Sequence, residues 1–227
     1  SILHFFTTFH KTFVTDSETK YAIRMIVISS SLAGMAFLSF NNGLLLAYFS
    51  HLEIPSATIL ILLAILPVTH FFFIIPFSYF SDLLGKKFIG TIGIIFTVFG
   101  FFLLSTISFF PENYLTWTVG LGIAIFGAGS AMNIAPWFAL IHPIIPEKIR
   151  GRFFGRLRLT WQSVSVLLTL VAISILEHYH TLRMYQAVMG FITILLAVRL
   201  IFYQRIPELE KKVSKKKTFR ESFLKVL

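Results

Sequence analysis

The sequence predicts an all-α integral membrane protein with six transmembrane helices. Only 13% of its 227 residues are charged and 56% are hydrophobic, whereas about 25% of the residues in ordinary soluble domains are charged. A mean hydropathy of +0.81 leaves more apolar surface than one small core can hide, so lipid has to cover much of the chain. Strand barrels have short alternating segments, and the long uninterrupted apolar runs found here predict helices instead.

Six runs with few or no charges are each long enough to cross a bilayer, which takes roughly 20 helical residues. Their approximate bounds are 25–49, 57–80, 88–110, 115–145, 159–176 and 182–202. The sixth run has Arg183 and Arg199 near its ends, where we expect the long side chains to reach the headgroups. A very tight turn at 111–114 separates the third run from the fourth.

Two segments flank the predicted bundle. Residues 1–24 are expected to be cytoplasmic or interfacial, because their phenylalanines lie at four-residue spacing on one helix face. They do not resemble a signal peptide, since no basic region precedes a continuous apolar stretch. Residues 203–227 form a basic cytoplasmic tail. The pentads 9–13 and 219–223 share an order of aromatic, basic, any, hydroxyl and aromatic residues, which indicates that a second bundle follows the tail.

The net charge of +10 is concentrated in alternate connections. Nearly all Lys and Arg residues lie before the first span, between spans two and three, between spans four and five, and after span six. The positive-inside rule therefore predicts that both termini are cytoplasmic and that the loops near Glu53, Glu112 and Glu177 face outward. The charge reflects membrane topology, and we expect no nucleic-acid partner.

Several classes of site and function are excluded or disfavoured. The chain has no Cys, so disulfides and thiolate metal sites are excluded, and we expect no metal or other cofactor. Ser130 follows Gly127 to Gly129, but the order around it differs from that of intramembrane serine proteases, and no later span contains a His. Because of these two differences at Ser130, we do not expect an enzyme. Channels built from paired Asn-Pro-Ala half-helices are excluded because no Asn-Pro pair occurs.

The connection between spans two and three contains a group of residues typical of one family: Ser78, Asp82, Gly85, Lys86 and Lys87. It resembles the signature loop of the major facilitator superfamily, whose order is glycine, three residues, aspartate, a basic residue, any, glycine and two basic residues. Ser78 replaces the first glycine, and Leu83 replaces the basic residue. A carboxylate at a helix end can cap amides or pair with Arg, and glycine permits a sharp turn. The resemblance implies that this loop forms a cytoplasmic gate.

The connection between spans four and five has a second set of matching residues: Pro146, Arg150, Gly151 and Arg152. It resembles the proline and Arg-Gly-Arg loop of many facilitator carriers. The two resemblances together cover nearly the whole chain as the N-terminal half of such a carrier. They imply a bundle of two inverted three-helix repeats and secondary active transport of a small solute by alternating access. Such carriers have twelve spans, so we expect a missing C-terminal half after Leu227 or a homodimer partner.

The resemblance also implies that the first and fourth spans line the cavity, so their polar residues are candidates for the translocation path: Asn41, Asn42, Asn133 and Trp137. Two polar residues of other spans are further candidates, His70 in the second and Gln162 in the fifth. The alternatives are interhelical hydrogen bonds for the asparagines and for His70, and interfacial anchoring for Gln162. His70 is also a candidate proton relay. The spans contain no Asp or Glu, so a carboxylate that couples transport to protons has to lie elsewhere.

Glycines and prolines inside the spans are expected at packing and kink positions: Gly34, Gly43, Pro67, Pro76, Gly122, Gly127, Gly129 and Pro136. We expect a multi-pass protein of a plasma or inner membrane, in contact with the lipid bilayer. The alternative function is a six-span scaffold or regulatory protein, whose tail binds anionic lipid through Lys211, Lys212 and Lys215 to Lys217.

Overall fold

The computed structural model describes residues 17–209, so the N-terminal phenylalanines, the lysine cluster of the tail and both aromatic pentads lie outside the described residues. Residues 17–209 form helices and connections without any strand. The α-helices are α1 (Ser17–Leu38), α2 (Leu44–His51), α3 (Ser56–Leu84), α4 (Lys86–Ser105), α5 (Leu115–Ile141), α6 (Arg150–His178) and α7 (Leu182–Gln204). All of these except α2 are long and apolar enough to cross a membrane. The prediction of an all-α chain with six span-length helices is confirmed.

The first predicted span, 25–49, consists of two helices. Five residues separate α1 from α2, and Gly43 among them has a φ of 84°, a left-handed conformation that favours glycine. Asn42 Oδ1 accepts the N–H of Leu44 at 3.0 Å. The run of two asparagines and a glycine ends α1 because these residues favour turns. Gly43 is not a packing position, since a Cβ there would have no neighbour within 4 Å.

A single residue, Gly85, joins α3 to α4. Its φ of 115° and ψ of 135° are rarely adopted by residues with a side chain. The expected loop between spans two and three is therefore a one-residue joint. Ser78 and Asp82 lie in the last two turns of α3, and Lys86 and Lys87 begin α4.

The basic residues expected between spans four and five lie mostly on a helix. Pro146 precedes a 3₁₀ turn, Glu147–Ile149, but Arg150, Gly151 and Arg152 form the first turn of α6. The helix thus begins well before the apolar run at 159. Arginine is a good helix former, and its long side chain reaches water from within a helix.

The span-length helices alternate in direction along the chain, so the pairs that pack together include both antiparallel and parallel ones. α5 packs against α3 and α4, α7 packs against α1 and α4, and α6 packs against α1. We call the end where α3 meets α4 and where α6 begins the basic end, and the end that holds Glu53, Glu112 and Glu177 the acidic end. α3 and α6 are the least buried of the span-length helices, and they present large apolar side chains such as Phe71, which is 78% exposed.

α4 and α5 cross with their backbones in contact. Gly93 faces Gly129 and Gly100 faces Gly122, and the glycines of each helix are seven positions apart. A Cβ on Gly129 would lie 2.6 Å from the carbonyl oxygen of Gly93, and one on Gly100 would lie 2.7 Å from that of Gly122. Small residues let membrane helices approach this closely. Gly122 and Gly129 are packing positions as predicted, and Gly93 and Gly100 complete the crossing.

Two further predicted glycines permit close helix contacts. Gly34 on α1 faces Trp161 and Ser165 of α6, and Gly127 on α5 faces Thr69 of α3. Neither position has room for a Cβ, so both are confirmed as packing positions. The predicted prolines lie inside long helices, Pro67 and Pro76 in α3 and Pro136 in α5.

Candidate functional site

Asn41 and Asn42 lie in the break between α1 and α2, and both are exposed. Asn42 Nδ2 donates to Thr169 Oγ1 on α6 at 3.2 Å, while its Oδ1 caps the start of α2. Within residues 17–209 the Asn41 side chain makes no hydrogen bond. Asn42 therefore fastens the break to α6, and Asn41 offers a free amide beside it.

His70, near the middle of α3, lies against Ser130 of α5. Its Nε2 forms a hydrogen bond with Ser130 Oγ, and that hydroxyl donates to the carbonyl oxygen of Gly127 at 2.9 Å. A hydroxyl has only one proton to give, so we assign His70 Nε2 as the donor. His70 thus makes the interhelical hydrogen bond that the sequence left as one of its alternatives.

The pair of Ser130 and His70 lacks the geometry of a hydrolytic dyad. A nucleophilic serine passes its proton to the histidine, whereas Ser130 donates to Gly127. The Ser130 side chain is also 0% exposed, so a substrate has no access to it. The pair acts as packing between α3 and α5.

A polar cluster surrounds Arg199 of α7. The prediction that this side chain reaches the headgroups is wrong, because Arg199 is 3% exposed inside the bundle. Its guanidinium donates to Asn133 Oδ1 on α5 and, at 3.4 Å, to Ser29 Oγ on α1. Asn133 Nδ2 in turn donates to the carbonyl oxygen of Gly90 on α4 at 3.4 Å. Four helices meet here, and Asn133 bonds between helices in this conformation.

Tyr203 lies one turn after Arg199 on α7 and is completely buried. Trp137 stacks on its ring, with centroids 6.3 Å apart and an interplanar angle of 18°. Gly90 faces the Tyr203 hydroxyl, which leaves no room for a side chain there. Among the described residues, neither the Tyr203 hydroxyl nor Arg199 Nη1 has a hydrogen-bond partner. Two such buried groups are unfavourable unless something else bonds to them.

At the basic end, Glu208 caps the start of α4. Its Oε1 accepts the backbone N–H of Lys86 at 2.7 Å and that of Lys87 at 3.4 Å. Lys87 Nζ donates to the carbonyl oxygen of Gln204 at 2.5 Å. A carboxylate at a helix N-terminus satisfies amides and interacts favourably with the helix dipole. The cap joins α4 to the residues that follow α7.

Asp82, the carboxylate predicted to support the gate, has a different environment. It is exposed, and its side chain has no hydrogen bond or ion pair within the part of the chain described. Arg150 of the second motif does have partners, because its Nη2 donates to the carbonyl oxygens of His142 at 3.2 Å and Ile145 at 3.4 Å. It ties the start of α6 to the end of α5. Gly151 is exposed, with no neighbour within 4 Å of a Cβ.

Six span-length helices within residues 17–209 and two sets of motif residues at one end of the bundle are features that known families of membrane proteins can share. A family model described as Major Facilitator Superfamily matches residues 26–227. The chain belongs to the major facilitator superfamily. It is therefore a membrane transporter, and proteins of this family are generally not enzymes. No curated protein matches the chain.

In this facilitator chain the path candidates lie in separate places. Asn41 and Asn42 lie at the break in the first span, and His70 lies on the face of α3 that meets α5. Asn133 lies in the Arg199 cluster, and Trp137 stacks on Tyr203 beside it. Gln162, half-buried on α6, makes no side-chain hydrogen bond within residues 17–209. The structure brings only Asn133 and Trp137 together.

The sequence contains a signal that would have placed Arg199 correctly. Apart from Met189, the buried residues of α7 recur at intervals of three or four: Val188, Ile192, Leu196, Arg199 and Tyr203. This interval defines one helix face, and Arg199 falls on it. Its position near the end of the span suggested the membrane–water interface, whereas its position on the buried face of the helix assigns it to the core of the bundle.

Proposed function

We propose that this chain is the N-terminal six-helix half of a secondary transporter that moves a small solute by alternating access. The observation that supports it most directly is an exchange symmetry in the helix packing. When α1 is matched with α5, α3 with α6 and α4 with α7, the α1–α6 pair corresponds to α5–α3 and the α1–α7 pair to α5–α4. The remaining large contact joins α4 to α7, and the exchange leaves this pair unchanged because it matches these two helices with each other. This is the pattern expected of two inverted three-helix repeats.

The glycine contacts support the same symmetry. Gly34 lets α1 approach α6, and Gly127 lets α5 approach α3, which are corresponding pairs under the exchange. In carriers built this way, substrate binds near the midplane beside the first helix of each repeat. We therefore assign α1 and α5 to the translocation path.

The orientation follows from the charges. Lys86, Lys87 and Arg150 lie at the basic end, so the positive-inside rule makes this end cytoplasmic, together with both termini of the chain. We assign the protein to a plasma or inner membrane, in which the positive-inside rule applies. The second half, or a homodimer partner, would cover parts of α3 and α6, the least buried of the span-length helices.

Asp82 is our candidate for the gate between the halves. Its exposed carboxylate lies at the end of α3, next to the one-residue joint at Gly85 and the Glu208 cap of α4. Because it lacks a partner within residues 17–209, it remains available to a group on the other half. Ser78, Lys86 and Lys87 would support it, while Arg150 would brace the second connection with Pro146, Gly151 and Arg152 beside it.

The Asp82→Asn variant tests the gate. In the complete transporter, reconstituted into liposomes, we expect slower uptake of the solutes that the wild type accumulates from a labelled metabolite panel. Membrane insertion and unfolding temperature should not change, since an exposed substitution usually shifts stability by no more than about 0.5 kcal/mol. Glu112→Gln, an exposed change at the acidic end, is the matched control. Normal uptake by Asp82→Asn would remove the gate assignment.

The mass of the native polypeptide tests the assignment to one half of a carrier. We expect an antibody against the 211–220 segment to detect a band in native membranes at about twice 25.9 kDa. A band at 25.9 kDa would contradict a single twelve-span chain and would require a homodimer. A six-span protein that proved monomeric would favour the scaffold alternative, with the lysine cluster bound to anionic lipid.

A further inference from the structure

The guanidinium of Arg199 is a buried cation that, within residues 17–209, bonds only to neutral groups. Asn133 and Ser29 accept two of its hydrogen bonds, and Nη1 has no partner in this part of the chain. The described carboxylates all lie at helix ends or in connections: Glu18, Glu53, Asp82, Glu112, Glu147, Glu177 and Glu208. None of them bonds to Arg199. Buried charges are strongly unfavourable unless an opposite charge pairs with them, and the described residues supply no negative group to Arg199.

The position of Arg199 indicates where that group would come from. The backbones of α1 and α5 make no extensive contact, although Phe37 of α1 packs on Phe126 of α5 with ring centroids 5.5 Å apart. Arg199 extends from α7 and bonds with one residue on each of the two helices. Its guanidinium therefore lies at the seam between the two helices. These are the helices that line the path if the proposed function holds.

Tyr203 adds a second donor on the same side of α7. Tyr203 follows Arg199 by one helical turn and is completely buried, and its hydroxyl has no partner within residues 17–209. An oxyanion offers several lone pairs and a negative charge, and it therefore suits a guanidinium N–H together with a phenol O–H. Neutral solutes would satisfy the hydrogen bonds but would leave the charge unpaired.

We propose that Arg199 and Tyr203 bind the oxyanion group of the transported solute, so that the substrates are small anions with a carboxylate or phosphate. This inference rests on the proposed transport function, because it takes α1 and α5 as the walls of the path. Asn133 and Ser29 hold the guanidinium in position. Since Arg199 is 3% exposed here, binding requires α1 and α5 to separate at the seam, a motion that alternating access supplies.

Thermal unfolding of the purified, complete transporter in detergent tests the site without a known substrate. Acetate, succinate and inorganic phosphate are each titrated at constant ionic strength, balanced with sodium chloride. We expect at least one of them to raise the unfolding temperature of the wild type saturably. Arg199→Gln should raise the anion concentration that gives half of the maximal effect about 10- to 100-fold, the loss of affinity expected for one charged hydrogen bond. The effective anion distinguishes carboxylate from phosphate substrates.

The matched control is Arg205→Gln, which removes an exposed arginine just after α7 and should leave the anion effect intact. A short-chain anionic phospholipid serves as the fourth probe. Stabilisation by the lipid alone would assign the site to headgroups and overturn the proposal for solutes. Equal anion effects in the wild type and in Arg199→Gln, or none in the wild type, would also overturn it.

A purely structural role for Arg199 gives a different result in the absence of anions. If the side chain serves only to tie α1, α5 and α7 together, Arg199→Gln unfolds at a lower temperature and the anions have no effect. If Arg199 is instead part of an anion-binding site, Arg199→Gln removes an unpaired buried charge, and its unfolding temperature without anions equals or exceeds that of the wild type.

Uptake into liposomes separates this proposal from the proposed function. Anion stabilisation without uptake of any solute would contradict transport and leave the anion site standing. Uptake of neutral solutes alone, unaffected by Arg199→Gln, would support transport and overturn the anion site.

Discussion

The Gly129→Ala variant is expected to unfold at a temperature roughly 2 to 12 °C below that of the wild type. The new methyl group would lie 2.6 Å from the carbonyl oxygen of Gly93 and 2.7 Å from the amide nitrogen of Thr97. Both are backbone atoms of α4, so no side chain can rotate away and the helices have to separate. Overpacking of this kind typically destabilises a protein by about 1–3 kcal/mol.

Gly190→Ala is the matched control, because it adds the same methyl group to α7, where a Cβ meets nothing within 4 Å. We expect its unfolding temperature to equal or slightly exceed that of the wild type, since alanine favours helices. Circular dichroism during heating in detergent measures both variants. Equal unfolding temperatures for the two would contradict a backbone contact between α4 and α5.

Gly93→Ala should have a similar effect, and the double variant should lose less stability than the sum of the two single changes. Gly93 and Gly129 contribute to one contact, so the first methyl group already separates the helices at that point. Residues that share a contact are commonly non-additive. Additive losses would mean that the two glycines serve separate contacts.

The Glu208→Ala variant is expected to lose about 0.5–2 kcal/mol of stability, the usual effect of removing a helix cap. The amides of Lys86 and Lys87 lose their acceptor, so their hydrogen exchange should accelerate while that of the middle of α4 stays slow. Glu208→Gln keeps an acceptor oxygen and loses the charge, so a smaller loss of about 0.3–1 kcal/mol is expected.

Glu177→Ala, an exposed carboxylate near the end of α6 at the acidic end, is the control for this pair. It should leave exchange at the start of α4 unchanged. Hydrogen–deuterium exchange with mass spectrometry resolves the segment 84–91 from the rest of α4. Unchanged exchange in Glu208→Ala would show that other contacts, such as the bond from Gln204 Nε2 to Thr91 Oγ1 at 2.7 Å, suffice to hold the joint.

The six span-length helices were predictable because one constraint dominates. Backbone groups in lipid have to be satisfied within the segment, so a long apolar run becomes a helix almost regardless of its neighbours. The ends of the helices are decided by weaker and more local effects. The turn at Asn41 to Gly43 interrupts an apolar run, and the arginines before 159 extend a helix beyond one.

The polar contacts were harder to predict because they join residues far apart in sequence. The sequence indicated a local carboxylate, Asp82, for the joint between α3 and α4, whereas the cap comes from Glu208, which is 122 residues from Lys86. Hydropathy along the chain likewise says nothing about the direction in which a side chain leaves its helix. Arg199 was misplaced for that reason, and His70 and Ser130 could not be paired.

The single-residue connection at Gly85 turns α3 into a lever. Consecutive Cα atoms lie about 3.8 Å apart, so the neighbouring ends of α3 and α4 cannot part, and any tilt of α3 pivots there. With 29 residues and a rise of about 1.5 Å per residue, a tilt of about 10° moves the far end by roughly 7–8 Å. A small tilt of α3 therefore moves its acidic end by a large distance, while its basic end stays next to the start of α4.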